Sequence, residues 1–413
     1  MSNQIQWINA LSTQSSLEKA IDEVVGKIEE KLTQNPDIGI VFISSAFASD
    51  YPRLMPLLLE KLPLPCVIGC GGGGIVGMKN DYQPREIEGN PALSLTVASL
   101  PDVEITPFHV TAKDLPDLDS AQDKWCNMIG VAPEKQPNFI LLSDPFSTKI
   151  NELLEGLDFA YAGSTKVGGL ASTSTMGVSS GLFYFNGSQS DGLFFTEGTV
   201  GVALSGNIKI ESIVAQGCRP IGNTYQVTQG EKNIIIEMTD NAGKTDNPLN
   251  LLRELIATLT QEDQDLAQYS LFIGIAMDEF KLQLKPGDFL IRNLVGVDPK
   301  YGAIAVGDKI RPGQRIRFHL RDAKASADDL ETLLTNYCNE KSDSTSNMGA
   351  LIFSCMGRGE GLYGKPNFDS QLFLDYLTDI PLAGFFCNGE IGPVSGNTFL
   401  HGYTSVFGIF SQP

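Results

Sequence analysis

The chain reads as an α/β protein, with mixed sheets flanked by helices, built as two related domains. Three observations point there. Short, almost continuously apolar runs such as DIGIVFISSAF and MGALIFSCMG have the pattern of strands buried on both faces. Segments of helical periodicity follow them across short connections, the alternation of an α/β fold. The unit strand, small polar residues, helix, strand and Gly-rich turn also recurs. At 413 residues the chain exceeds the ~250–300 at which one core tends to divide.

The first helix is expected at Ser16 to Leu32, where Leu17, Ile21, Val24, Val25, Ile28 and Leu32 share a face. DIGIVFISSAF then gives a buried strand. DYPRLMPLLLEKL has helical spacing, with Pro52 and Pro56 restricting it to short turns. LPLPCVIGC is strand again. FILLSDPFSTKINELLEGLDFAYAGSTKVGGLAS repeats this order, with Gly163 and Gly168 spaced like Gly69 and Gly74 and like Gly384 and Gly389. GCRPIGNTYQVTQGEKNIIIEM suggests a hinge, which places domains at 1–220 and 221–413. Beyond it, YSLFIGIAMDEF is strand. GDFLIRNLVGVDPKYGAIAVGDKIRPGQRIRFHL carries the turn signals of antiparallel strands. In RDAKASADDLETLLTNY a helix follows directly, with Ser326 as the expected N-cap. MGALIFSCMGRG, DSQLFLDYLTDI and PLAGFFCNGEIGPV then give strand, helix and strand with a Gly-rich turn.

Bulk properties exclude several classes. A net charge of −19 without any basic run argues against nucleic acid. No stretch approaches the ~20 apolar residues of a membrane span, so no membrane insertion is expected. The N-terminal MSNQIQWINALSTQSS lacks a basic segment followed by an apolar core, so a cytoplasmic protein without a signal peptide is expected. Seven scattered cysteines, no CxxC pair and three histidines leave no metal site and no cofactor in prospect.

The stretch VIGCGGGGIVG lacks the Gly-Lys-Ser/Thr of a Walker loop, and no helix is expected after it as a dinucleotide fingerprint requires. More chemistry gathers in CNGEIGPVSGNTFLHGYTSV, which holds Cys387, Asn388, Glu390, His401 and Tyr403. The preceding strand brings Ser354, Cys355 and Arg358. If the paired strands lie side by side, their C-terminal ends face one crevice, the usual ligand position in an open α/β sheet. There Arg358 suits a carboxylate and Glu390 an ammonium group, the two ends of an amino acid. The N-terminal counterpart is Ser44, Cys70, Gly71 and Gly72. Against this stand plainer readings: an Arg358–Glu390 ion pair, a structural His401, and cysteines that pack.

With these residues in view, IPLAGFFCNGEIGPVSGNTFLHGYTSV, preceded by FSCMGRG, resembles the C-domain signature of the FIST family (F-box and intracellular signal transduction proteins). Gly69 to Gly74 resemble its N-domain element, except that Ile75 stands where the family pattern has Glu. The resemblance runs from roughly residue 35 to the end. It implies a sensory module for small ligands, amino acids being the proposed class. With no residues left over for an output domain, the chain is expected to stand alone and signal through a protein partner. The alternatives are an enzyme acting on a small amide or carboxylate through Cys355 or Cys387 with His401, and an interaction scaffold with a vestigial site.

Overall fold

Strand, helix, strand, helix and four strands follow one another three times in the computed structural model, which describes residues 5–79, 83–147, 149–174, 177, 179–188, 193–341 and 347–413. The first pass is β1 (Gln6–Ser12), α1 (Leu17–Glu29), β2 (Ile38–Ser44), α2 (Tyr51–Lys61), β3 (Val67–Gly72), β4 (Gly74–Met78), β5 (Pro84–Glu88) and β6 (Leu93–Ser99). The second is β7 (Val103–Val110), α3 (Gln122–Ile129), β8 (Asn138–Ser143), α4 (Ile150–Ala160), β9 (Lys166–Leu170), β10 (Leu182–Phe185), β11 (Phe194–Phe195) and β12 (Thr199–Gly206).

The third pass opens with β13 (Lys209–Ala215) and is then interrupted in sequence. The insert holds β14 (Cys218–Glu231), β15 (Ile234–Asp240), β16 (Thr245–Asp246), α5 (Pro248–Thr258), α6 (Gln261–Ala267), β17 (Leu271–Ala276), β18 (Phe289–Asp298), β19 (Ala303–Val306) and β20 (Arg315–Arg321). The third pass resumes with α7 (Ala323–Glu340), β21 (Asn347–Cys355), a short α8 (Glu360–Tyr363), α9 (Phe368–Tyr376), β22 (Leu382–Cys387), β23 (Glu390–Val394), β24 (Asn397–His401) and β25 (Ser405–Ser411). The compact units therefore cut the chain differently from a division near residue 220. One comprises Met1–Val214, Glu331–Leu400 and Thr404–Pro413; the other comprises Ala215–Leu330 and His401–Tyr403.

The larger unit contains three sheets of equivalent order: β1-β6-β2-β3-β10-β11, β7-β12-β8-β9-β23-β24 and β13-β25-β21-β22-β4-β5. Four strands of each sheet come from one repeat, and the last two come from another repeat, in cyclic order. The central pairs β2–β3, β8–β9 and β21–β22 are parallel. Each repeat thus lends a strand pair to a neighbouring sheet, which ties residues near 75 to residues near 385.

Side chains from the inner faces of all three sheets share one core, with Phe42, Ile68, Ile140, Leu142, Phe353 and Phe385 among them. On the outer faces α1 and α2 cover the first sheet and α3 and α4 the second. This two-sided burial is why the strands read as continuous apolar runs rather than alternating ones.

One glycine per repeat fixes the alignment. Gly69, Gly168 and Gly384 sit opposite Val41, Leu141 and Ile352 of the parallel neighbour. A Cβ on them would fall 2.2, 1.8 and 1.8 Å from the facing carbonyl oxygen. Gly168, not Gly163, is therefore the counterpart of Gly69, because ladder register rather than a G-x4-G spacing sets the equivalence.

Three local expectations also change. Residues Tyr51–Lys61 form one helix despite two prolines. Pro52 lies in the first turn, where no intrahelical N–H bond is lost, and burial of Leu54, Met55 and Leu58 holds the rest. The segment 218–231 is the long strand β14, not a hinge. At the start of α7 the Asp322 carboxylate accepts from the Ala325 N–H at 2.7 Å, while Ser326 lies inside the helix and donates to the Gly217 carbonyl.

The smaller unit is a closed antiparallel barrel. Its strands run β14-β20-β17-β18-β19-β15, and β14 pairs with β15 to complete the ring. Ile235, Ile273, Ile304, Ile316 and Phe318 fill it, and Leu251, Leu252 and Leu255 of α5 join the same core. Closure removes the exposed edges that an open sheet would otherwise present.

Candidate functional site

The third repeat carries a dense buried polar cluster where β21 runs into α8. Arg358 is 1% exposed. It does not face an open crevice: its Nε and Nη2 donate to Asp369 Oδ2 and Oδ1 at 2.7 and 2.9 Å. Tyr363 Oη accepts from Nη2 at 2.5 Å and donates to Asp369 Oδ1 at 2.8 Å. Ser405 donates to Asp369 Oδ2 at 2.8 Å, and its Oγ lies 3.1 Å from that of Ser354. Burial works to raise the Asp369 carboxyl, but the Arg358 charge and hydrogen bonds from Arg358, Ser405 and Tyr363 outweigh it and hold the group low. The expectation that Arg358 meets a ligand carboxylate bidentately is thus corrected, since Asp369 already fills that fork. Nη1 alone is left without a partner.

Glu390 lies beside this pair and is wholly buried. Its Oε2 accepts from the Thr404 N–H at 3.1 Å, and Oε1 has no partner. Burial pushes this carboxyl well above the usual range, against the Thr404 N–H, the Arg358 charge and the Cys355 thiol. That burial works against the anion expected for an ammonium ligand. Its ladder partner is Gly169; Ile75 and Leu182 hold the equivalent positions opposite Phe385 and Cys70. Only the third repeat carries an acid there.

The N-terminal residues do not form a comparable site. A Cβ on Gly71 would meet Tyr51 Oη at 2.4 Å, one on Gly72 would meet Phe385 Cβ at 2.9 Å, and one on Gly73 would meet Met356. Gly71 and Gly72 therefore sit where no side chain fits. Cys70 is fully buried in the shared core, and Ser44 Oγ accepts from the Ala92 N–H at 3.0 Å.

The remaining candidates divide. Cys355 is half-buried beside Glu390, whereas the wholly buried Cys387 has its thiol pushed up by burial and the nearby Glu390. The Asn388 N–H donates to the Leu170 carbonyl, and its side chain is exposed. His401 and Tyr403 cluster with the barrel; the Tyr403 ring lies 4.3 Å from that of Phe272, and its hydroxyl bonds Asn293.

Asp369, Tyr363, Ser405 and Glu86 escaped the sequence reading. One signal existed: Asp369 shares a helix face with buried Phe373, and an acid on an apolar face demands a partner. Among the described residues, no group of three or more His, Cys, Asp and Glu is placed to hold a metal ion. Nor is any described helix long and apolar enough to cross a membrane.

Glu86 on β5 accepts from the Ser370 N–H at 2.8 Å. Burial and the Asp369 charge push its carboxyl up to about 7, against the Ser370 hydrogen bond. Between the unfolded value of 4.5 and about 7 the native state binds the extra proton, so its stability falls as pH rises through that window. The loss should approach about 3 kcal/mol. In urea titrations at several pH values, Glu86→Gln should flatten this slope relative to wild type. Parallel slopes would exclude Glu86 as the titrating group.

The chain matches the FIST N domain over residues 37–241 and the FIST C domain over residues 248–393. It is 33% identical over 404 residues to an uncharacterized protein of Mycobacterium tuberculosis, covering 97% of this chain and 98% of that one. An uncharacterized protein of Mycobacterium bovis is 31% identical over 396 residues, covering 95% of each. An F-box/LRR-repeat protein of Arabidopsis thaliana is 33% identical over 120 residues, 25% of this chain and 22% of that protein. Among solved structures, a cyanuric acid hydrolase from A. caulinodans aligns over 99% of both chains with 9% identity and a TM-score of 0.33, too loose a likeness to transfer chemistry.

Proposed function

The chain belongs to the FIST family, and on that premise we propose that it is a sensory protein. It binds a small polar ligand, an amino acid or similar metabolite, at the Arg358–Glu390 cluster and signals through a protein partner. FIST domains are associated with signal transduction and small-ligand sensing. One observation supports the placement: Arg358 Nη1 and Glu390 Oε1 are both buried without partners, beside the half-buried Cys355. Each unmet polar group at depth costs about 1–3 kcal/mol. A ligand group that accepts from Nη1 and bonds Glu390 Oε1 recovers both. The seven cysteines are all unbridged, which fits the reducing cytoplasm where we place the protein.

A thermal-shift screen of free amino acids and simple carboxylates tests this. At a hundredfold excess over Kd a true ligand stabilises by about 2.7 kcal/mol. Glu390→Gln, which preserves shape and removes the acid, should fold and lose that shift. If no compound raises the melting temperature, or if Glu390→Gln responds like wild type, the assignment fails.

A further inference from the structure

The parallel ladder of β21 and β22 closes on two cysteines. Cys355 and Cys387 are the last residues of their strands and are register partners. Partners on adjacent strands stand about 4.7–4.9 Å apart, inside the roughly 4.4–6.8 Å of Cα separation that a disulfide spans. Register partners also direct their side chains to the same face of a sheet. Both thiols converge on one landmark here: the Cys355 thiol hydrogen-bonds the Glu390 carboxyl, and Cys387 lies within electrostatic reach of Glu390 and Cys355. Their exposures differ. Cys355 is half-buried, and Cys387 is fully buried. The sheet ends at this pair, so closing the gap leaves the interior rungs Ala350–Leu382 to Ser354–Phe386 in place.

We propose that Cys355 and Cys387 form a peroxide-responsive dithiol, with Cys355 as the attacking and Cys387 as the resolving residue. In the first step Cys355 Sγ, as thiolate, attacks one oxygen of hydrogen peroxide. The S–O bond forms, the O–O bond breaks, and the released hydroxide takes up the thiol's proton as water. In the second step Cys387 Sγ attacks the resulting sulfenic sulfur. The S–S bond forms, the S–O bond breaks, and the departing hydroxide leaves as water with the Cys387 proton. Two thiols are oxidised and one peroxide is reduced to two waters. Exposure matched to order is what such a pair needs: the outer sulfur meets the oxidant, and the inner one is reached only by its neighbour. This chemistry stands apart from the ligand reading, because bridge formation is measured without any ligand.

The experiment treats the native full-length chain with stoichiometric hydrogen peroxide, alkylates the remaining thiols and maps peptides by mass spectrometry. A linked peptide pair joining Cys355 to Cys387, reversed by dithiothreitol, is the expected result, with the similarly half-buried Cys338 still alkylated. In Cys387→Ala the sulfenic acid should persist on Cys355 and be trapped by dimedone. Because the wild-type map needs no variant, a misfolded Cys387→Ala leaves the test intact. If both residues remain alkylated after peroxide, or if the bridge forms only in urea, the proposal is overturned.

Discussion

Asp369→Asn should destabilise the protein by about 3–5 kcal/mol, the penalty for leaving one member of a buried ion pair without its counter-charge. Arg358 and Asp369 are 1% and 2% exposed, so water cannot solvate the guanidinium once the carboxylate is gone. Tyr363, Ser354 and Ser405 also donate to that carboxylate, and each would lose an acceptor of full charge. Guanidinium unfolding reads the effect directly. The double variant Arg358→Met/Asp369→Leu should be less destabilised than the sum of the single variants, since it buries no lone charge. A cost below about 1 kcal/mol for Asp369→Asn would mean that the pair is solvated. The same single variant should also abolish any ligand-induced thermal shift, because it unseats Arg358.

Gly168→Ala and Gly384→Ala should prevent folding or cost well over about 3 kcal/mol, more than ordinary overpacking. In each the new Cβ would lie 1.8 Å from a carbonyl oxygen on the adjacent parallel strand. No side chain can move to make room; the strands themselves must part, and with them the core shared by three sheets. Gly26→Ala is the internal comparison. Nothing lies within 4 Å of its Cβ, and it sits in α1, so it should be neutral or stabilise by roughly 0.5–1 kcal/mol. Soluble yield and chemical unfolding of the three variants decide the matter. Near-wild-type stability of Gly168→Ala would contradict the register given for β8 and β9.

Much of the larger unit was legible because its information is local. The run IGIVFIS is apolar at every position except the small Gly39 and the terminal Ser44, and only a strand covered on both faces accommodates that. The face shared by Leu17, Ile21, Val24, Val25 and Ile28 likewise marks α1. Recurrence of strand, helix and strand was also visible. The barrel placed between β13 and α7 was harder to see, because it separates the third repeat's first strand from the rest. The site was half legible. The cluster of Arg358, Glu390 and Cys355 stood out by composition, but the acid that holds Arg358 was hidden within DSQLFLDYL, and Glu86 lay in a different repeat.

The sequence by itself determined most strands and helices of the larger unit, the family, and the one repeat that keeps an acid at the Gly-rich turn. These follow from periodicity and side-chain type, which act over a few residues. Tertiary structure alone decided that strand pairs are exchanged cyclically, that Gly168 rather than Gly163 is the counterpart of Gly69, and that Arg358 belongs to Asp369. Those outcomes depend on which strand edge is filled and on how deeply a charge is buried. Both are set by partners distant in sequence, through hydrogen-bond register and desolvation, and no local pattern encodes them.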